Sequence, residues 1–158
     1  MNYSKEVILL HNKEFINWVS SLNEFSEELW RTQIVVGKWT IAEIIAHLTA
    51  WDQFIIESRL LIKSEEDFPA APKVEEFNSK AAEYGRTHSK EIVINDFIDS
   101  RKRFIEILQK TDSTNWDKPF YKNYTMLQYI GGFIEHDLHH KEQVIEAGEG
   151  KRLRKRDS

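Results

Sequence analysis

Apolar positions along this chain return at alternating steps of three and four, the period of helices that bury one face. In the first segment Ile8, His11, Phe15, Trp18, Leu22, Phe25 and Leu29 make such a seam, which predicts a helix over about 4–30. The second helix has a clear start. Thr40 and Glu43 form a capping box, and Trp39 and Ile44 hold the staple positions beside it. Its apolar side is Ile41, Ile44, Leu48, Trp51 and Ile55, and it is expected to run to about Ile62. Pro69 and Pro72 then mark 64–73 as a crossover loop.

The third region divides in two. A short helical stretch, 77–84, is expected to break at Gly85, and Ile94, Phe97, Ile98, Arg101, Phe104, Ile105 and Leu108 mark a longer helix after it. A loop over 111–123 contains Pro119. Thr125 and Gln128 form a second capping box, with Tyr124 and Tyr129 as its staple, and the helix that follows is expected to end near Gly148. No segment alternates over a strand's length apart from the short 92–94 run, so strands are not required. The pattern is that of an all-α protein, a four-helix bundle with a long crossover between helices two and three and a short extra helix before helix three.

Composition narrows the function. At 158 residues the chain suits one domain, 1–150, followed by a basic tail, 151–158. Lys151, Arg152, Arg154, Lys155 and Arg156 carry no aromatics among them and read as a solvated, disordered end rather than a nucleic-acid or lipid contact. A net charge of −4 with mixed signs argues against nucleic acid as the main partner. The amino terminus does not read as a signal peptide, and no apolar run approaches the ~20 residues of a membrane helix. The expected setting is soluble and cytoplasmic. Without cysteine, any metal site must use nitrogen and oxygen.

Six histidines are the candidate ligands. On the fourth helix the stripe Met126, Tyr129, Phe133, His136, His140, Gln143 and Ala147 places two imidazoles one turn apart on one face, the spacing that lets both reach one ion. His47 sits on the shoulder of the second helix's apolar side. It stands level with the pair if helices two and four run antiparallel. The competing reading is of ordinary core or surface histidines, and an unpaired polar ring in a core needs something to satisfy it. His11 and His88 are placed less well, and His139 points toward Glu135, Glu142 and Glu146. Asp137 and Arg101 fall where charge is unexpected. They either neutralise each other as a buried pair, or Asp137 orients a ligand or takes a proton at the metal. Trp18, Trp30, Trp39, Trp51 and Trp116 read as core at helical spacing, with a ligand pocket or an interface as the alternative.

The segments GKWTIAEIIAHLTAWDQ and YIGGFIEHDLHHKEQV resemble the two signature helices of the DinB-like superfamily, and EEFNSKAAEYGRTHSKEIVINDFIDSRKRFIEIL is similar to its ClbS/DfsB branch. The resemblance covers nearly the whole chain. It implies a bundle whose second and third helices are joined by a long crossover, and a divalent metal, nickel or zinc, on His47, His136 and His140. It further implies a metal-dependent hydrolase or thiol transferase acting on a small electrophilic or toxic metabolite, with a low-molecular-weight thiol as a second cofactor in the latter case. Asp137 or His139 would be the secondary candidates for proton handling at such a centre. The alternative is a non-catalytic, stress-associated bundle that serves as a binding or dimerisation module, and pairing of two chains fits either reading.

Overall fold

The computed structural model describes residues 2–157, with side chains as far as Gly150. Four long helices form the body: α1 (Lys5–Ser21), α3 (Ile41–Ile55), α5 (Lys90–Lys110) and α7 (Met126–Asp157). Between them lie the short α2 (Glu27–Trp30), the crossover helix α4 (Val74–Thr87) and α6 (Ser113–Trp116). The expected four-helix bundle with an extra helix on its crossover is the fold observed.

Which ends meet is fixed by two core clusters. One gathers Phe15 and Val19 late in α1, Ile41 to Leu48 early in α3, Val93 and Phe97 early in α5, and Val144 and Ala147 from the later part of α7. The other joins Ile8, Ile55, Phe104, Leu108, Met126, Ile130 and Ile134. So α3 and α5 are parallel to each other and antiparallel to α1 and α7. A parallel pair cannot be joined by a tight turn, and residues 56–89 make the return journey. They begin with a π-turn, Ile56–Leu60, and carry α4.

Both capping boxes are present. The Glu43 amide donates to Thr40 Oγ1 at 3.2 Å and the Thr40 amide to Glu43 Oε1 at 3.3 Å. At the start of α7 the Thr125 amide donates to Gln128 Oε1 at 2.9 Å and the Gln128 amide to Thr125 Oγ1 at 3.1 Å. Trp39 packs on the cluster that holds Ile44, so the first staple is closed. Tyr124 stays exposed, so the second is not.

Several boundaries depart from expectation, each for a local reason. The first helix does not run unbroken to Trp30, because Ser26 adopts extended backbone and its Oγ caps a new helix by accepting from the Leu29 amide. The second stops at Ile55 and gives way to the π-turn. The expected 111–123 loop contains α6 and the first strand and turn of a small hairpin, β1 (Pro119–Tyr121) paired with β2 (Tyr124–Thr125) just beyond it, where the sequence pattern requires no strand. Its turn is made by Lys122 and Asn123, both at positive φ, the pairing that suits a two-residue hairpin. The helical backbone of α7 passes Gly148 and continues to Asp157, while the side chains of the basic tail lie outside the described residues. Among the described residues no helix is long and apolar enough to cross a membrane.

Gly85 does not break its helix. It lies inside α4, where a Cβ would stand 2.7 Å from the Ala42 carbonyl oxygen, and so lets α4 rest directly on the α3 backbone. Gly85→Ala is therefore expected to lower stability by about 1–3 kcal/mol despite alanine's better helix propensity. Urea midpoints of the two proteins measure this, and an unchanged or raised midpoint would contradict the close approach.

Candidate metal centre

Antiparallel packing brings α3 and α7 together with His47 level with the pair on α7. The Nε2 atoms of His47 and His136 are 3.3 Å apart, and those of His140 and His136 are 3.2 Å apart. One nitrogen from each of the three rings lies within 4.8 Å of the others. His47 and His140 are buried, and His136 is half-buried. The three residues singled out in the sequence are thus the ones the fold gathers.

The proton inventory shows why these rings fit a cation. His47 Nδ1 lies 3.1 Å from Asn78 Oδ1, and His140 Nδ1 lies 2.8 Å from Gln143 Oε1. An imidazole that donates from Nδ1 has only a lone pair at Nε2 unless it is charged. Burial, with repulsion from the neighbouring rings, pushes His47 down to about 3 and His136 to about 4, and burial also lowers His140. The rings are therefore neutral at pH 7. The two short nitrogen–nitrogen contacts then have at most the one His136 proton between them, so at least one sets lone pair against lone pair. A cation resolves that conflict. Nitrogens held about 2.0–2.1 Å from one tetrahedral ion stand roughly 3.3 Å apart, close to the spacing found.

Aromatic rings pack on one side of the triad, and a polar cavity lies next to it. The Trp39 ring centroid is 4.8 Å from that of His47, and Trp51 donates from Nε1 to Asn78 Oδ1 at 2.8 Å. Two of the five tryptophans thus flank the site, while Trp30 and Trp116 are core. A cavity of about 470 Å³, lined by Ile34, Val35, Lys38, His139, Glu142, Gln143 and Glu146, adjoins the triad through Gln143, the partner of His140 Nδ1, and is not lined by the three ligand histidines themselves. His139 is exposed on this wall, its ring 5.2 Å from that of His140. His88 stacks on Tyr84 at 3.7 Å and belongs to another surface.

Asp137 belongs to a second buried cluster rather than to the triad. Arg101 donates five hydrogen bonds: Nε to Asp52 Oδ2 at 2.6 Å, Nη2 to Asp52 Oδ1 at 3.1 Å and to Asp137 Oδ1 at 3.1 Å, and Nη1 to Asp137 Oδ2 at 2.8 Å and to Asn12 Oδ1 at 3.0 Å. The buried pairing of Asp137 with Arg101 is real, and it is wider than the sequence suggested, since Asp52 and Asn12 had not been singled out. His11, which looked poorly placed, lies with its Nε2 2.8 Å from Asp137 Oδ2. Burial pushes Asp52 up to about 6 against the pull of Arg101, with the charge of Asp137 adding to the rise. The same burial acts on Asp137, but Arg101 and the His11 hydrogen bond overcome it and hold the carboxyl at about 2. Phe97, Phe15 and Phe104 stand 4.8, 5.3 and 5.9 Å from the guanidinium.

Two outcomes follow from these charges. For the metal-free protein, unfolding frees His47 and His136 to take up protons near their ordinary 6.5, whereas the folded chain resists until about 3 and 4 respectively. The unfolded state binds more protons in that window, so stability is full above pH 6.5 and is lost as pH falls toward 4. The loss should be on the order of 3 kcal/mol after allowance for solvent screening. Asp52, raised to about 6, takes up its proton in the folded chain first and offsets part of this loss in global stability. Ring-selective NMR titration of His47 and His136 between pH 7 and pH 4 is therefore the measurement, and rings that charge near 6.5 would show that they are not held neutral. Arg101→Met, which keeps the stem between the phenylalanines but strands two buried carboxylates, should cost about 3–5 kcal/mol at pH 7. A loss under about 1 kcal/mol would mean that the cluster is not coupled to folding.

The residues and geometry can be set beside known proteins. A family model described as the DinB superfamily matches residues 15–144, a span that includes all three triad histidines, Asp52, Asn78, Arg101 and Asp137. No curated protein matches the chain. Among solved structures, "YfiT from Bacillus subtilis is a probable metal-dependent hydrolase with an unusual four-helix bundle topology" describes a protein that superposes with a TM-score of 0.72, over 93% of this chain and 87% of that one, at 14% identity. At that identity the likeness is one of fold. With the family model spanning most of its length and the bundle agreeing, the chain belongs to the DinB superfamily.

Proposed function

We propose that this protein is a metal-dependent enzyme, a hydrolase or thiol transferase acting on a small electrophilic or toxic metabolite, with His47, His136 and His140 holding one divalent ion. The observation that carries the reading is the convergence of three neutral Nε2 atoms from α3 and α7. Nickel and zinc suit an all-imidazole donor set, and no cysteine competes for the ion. A divalent ion on three neutral imidazoles supplies Lewis acidity that makes water or a thiol a usable nucleophile near neutral pH.

The chain's own residues would do the rest. Trp39 packs against one side of the triad, while the cavity that adjoins it through Gln143 is open to a small molecule. Lys38 on its rim offers a cation to an acidic substrate or to the carboxylates of a thiol cofactor. His139, exposed on the same wall, is the group placed to pass protons to solvent. Asp137 is the less suited of the two proton handlers considered, because both its oxygens already accept from Arg101. Placement in the ClbS/DfsB branch, carried by the 75–108 segment, and a cytoplasmic setting are part of the same proposal. YfiT, described as a probable metal-dependent hydrolase, lends support through its shared fold.

Metal analysis tests this directly. The chelator-stripped protein is expected to take up about one nickel or zinc ion per chain, and His136→Ala to weaken uptake on the order of 100-fold or more. The loaded protein should hydrolyse or thiolate small electrophiles, and that activity should vanish in the same variant. A stable wild-type chain that takes up no stoichiometric ion would favour the non-catalytic bundle instead.

A further inference from the structure

We infer that Asn78, on the crossover helix α4, is a positioning residue that sets the tautomer of His47, and that Trp51 is what makes Asn78 face the right way. An asparagine amide can present either its oxygen or its nitrogen, and the two are close in shape. Here the choice is forced. The indole of Trp51 is a donor with no acceptor capacity, and it points at the same Asn78 atom that faces His47 Nδ1, at 2.8 and 3.1 Å respectively. That atom must be the oxygen, since an amide nitrogen there would set donor against donor. An oxygen facing His47 Nδ1 in turn requires that nitrogen to carry the proton. The lone pair of the neutral ring is left on Nε2, the atom 3.3 Å from His136.

The opposite arrangement would disable the site. With the amide turned round, Asn78 would donate to Nδ1 and the proton would move to Nε2, into the space the three rings share. Phe77, the residue before Asn78, packs its ring 4.4 Å from that of Trp51 at a tilt of 48°, so the two partners are held together by ring packing as well as by the hydrogen bond. The docking of α4 on α3 and the readiness of His47 as a ligand are thus one arrangement. The link to metal rests on the proposed function, but the tautomer does not, and the two can fail separately.

Nitrogen-15 correlation spectra of the His47 ring in the metal-free protein at pH 7.5 read the tautomer directly. The wild type should show the proton on Nδ1. Asn78→Ala and Trp51→Phe should each shift the population toward Nε2–H, while Asn78→Asp, which accepts but does not donate, should retain Nδ1–H. Zinc affinity, measured by competition with a chromophoric chelator, should fall about 10–100-fold in Asn78→Ala and recover in Asn78→Asp. A wild-type ring protonated on Nε2 would overturn the inference, as would a tautomer unmoved in a folded Trp51→Phe protein. A chain that binds no zinc yet shows the tautomer response would uphold the positioning role and overturn only the metal-enzyme reading.

Discussion

One buried guanidinium sets the heights of all four long helices. Arg101 of α5 has five N–H donors, and each meets an acceptor: two on Asp52 of α3, two on Asp137 of α7 and one on Asn12 of α1. Apolar packing tolerates sliding, because one methyl contact replaces another at little cost. A planar fork with five fixed directions does not. Sliding any helix would leave a buried charge or carbonyl without a partner, at a cost of several kcal/mol.

The triad inherits its alignment from that fork. His136 precedes Asp137 on α7, and His47 lies five residues before Asp52 on α3, so the two helices that supply the imidazoles are each pinned to Arg101 within about two turns. Three rings from two helices can converge only if the helices agree in height and rotation. The buried cluster enforces that agreement without hydrogen-bonding to the rings, and it reaches His136 only through the charges of Asp137 and Arg101. Its acceptor to donor balance is also uneven, with two carboxylates on one guanidinium. The extra His11 bond to Asp137 breaks the symmetry and leaves Asp52 as the carboxyl nearer to taking a proton.

Much of this was legible in the sequence where the signal was local and periodic. Capping boxes announced the starts of α3 and α7, and the three-and-four stripe carried His136 and His140 onto a buried face. Arg101 and Asp137 stood out as charges on apolar stripes. Asp52 carried the same signal, four residues beyond Leu48 and three before Ile55, but Trp51 beside it drew the apolar face the other way. Gly85 was misread because glycine inside a helix signals either a break or a close approach, and only the partner backbone tells which. Asn78 was not legible at all. Its role depends on where α4 docks and on an indole 27 positions earlier, and no periodicity within α4 encodes either.

Parallel α3 and α5 oblige the polypeptide to travel the bundle's length between them, a detour that an up-and-down arrangement avoids. That detour is where the protein finds room for a fifth helix, and it lays the helix along the flank of the centre rather than over the cavity that adjoins it. Topology therefore separates two tasks: ligands come from the antiparallel pair, and the orientation of His47 comes from the return segment. A change at Asn78, in this return leg, would therefore alter the chemistry of the centre while leaving the histidines where they are.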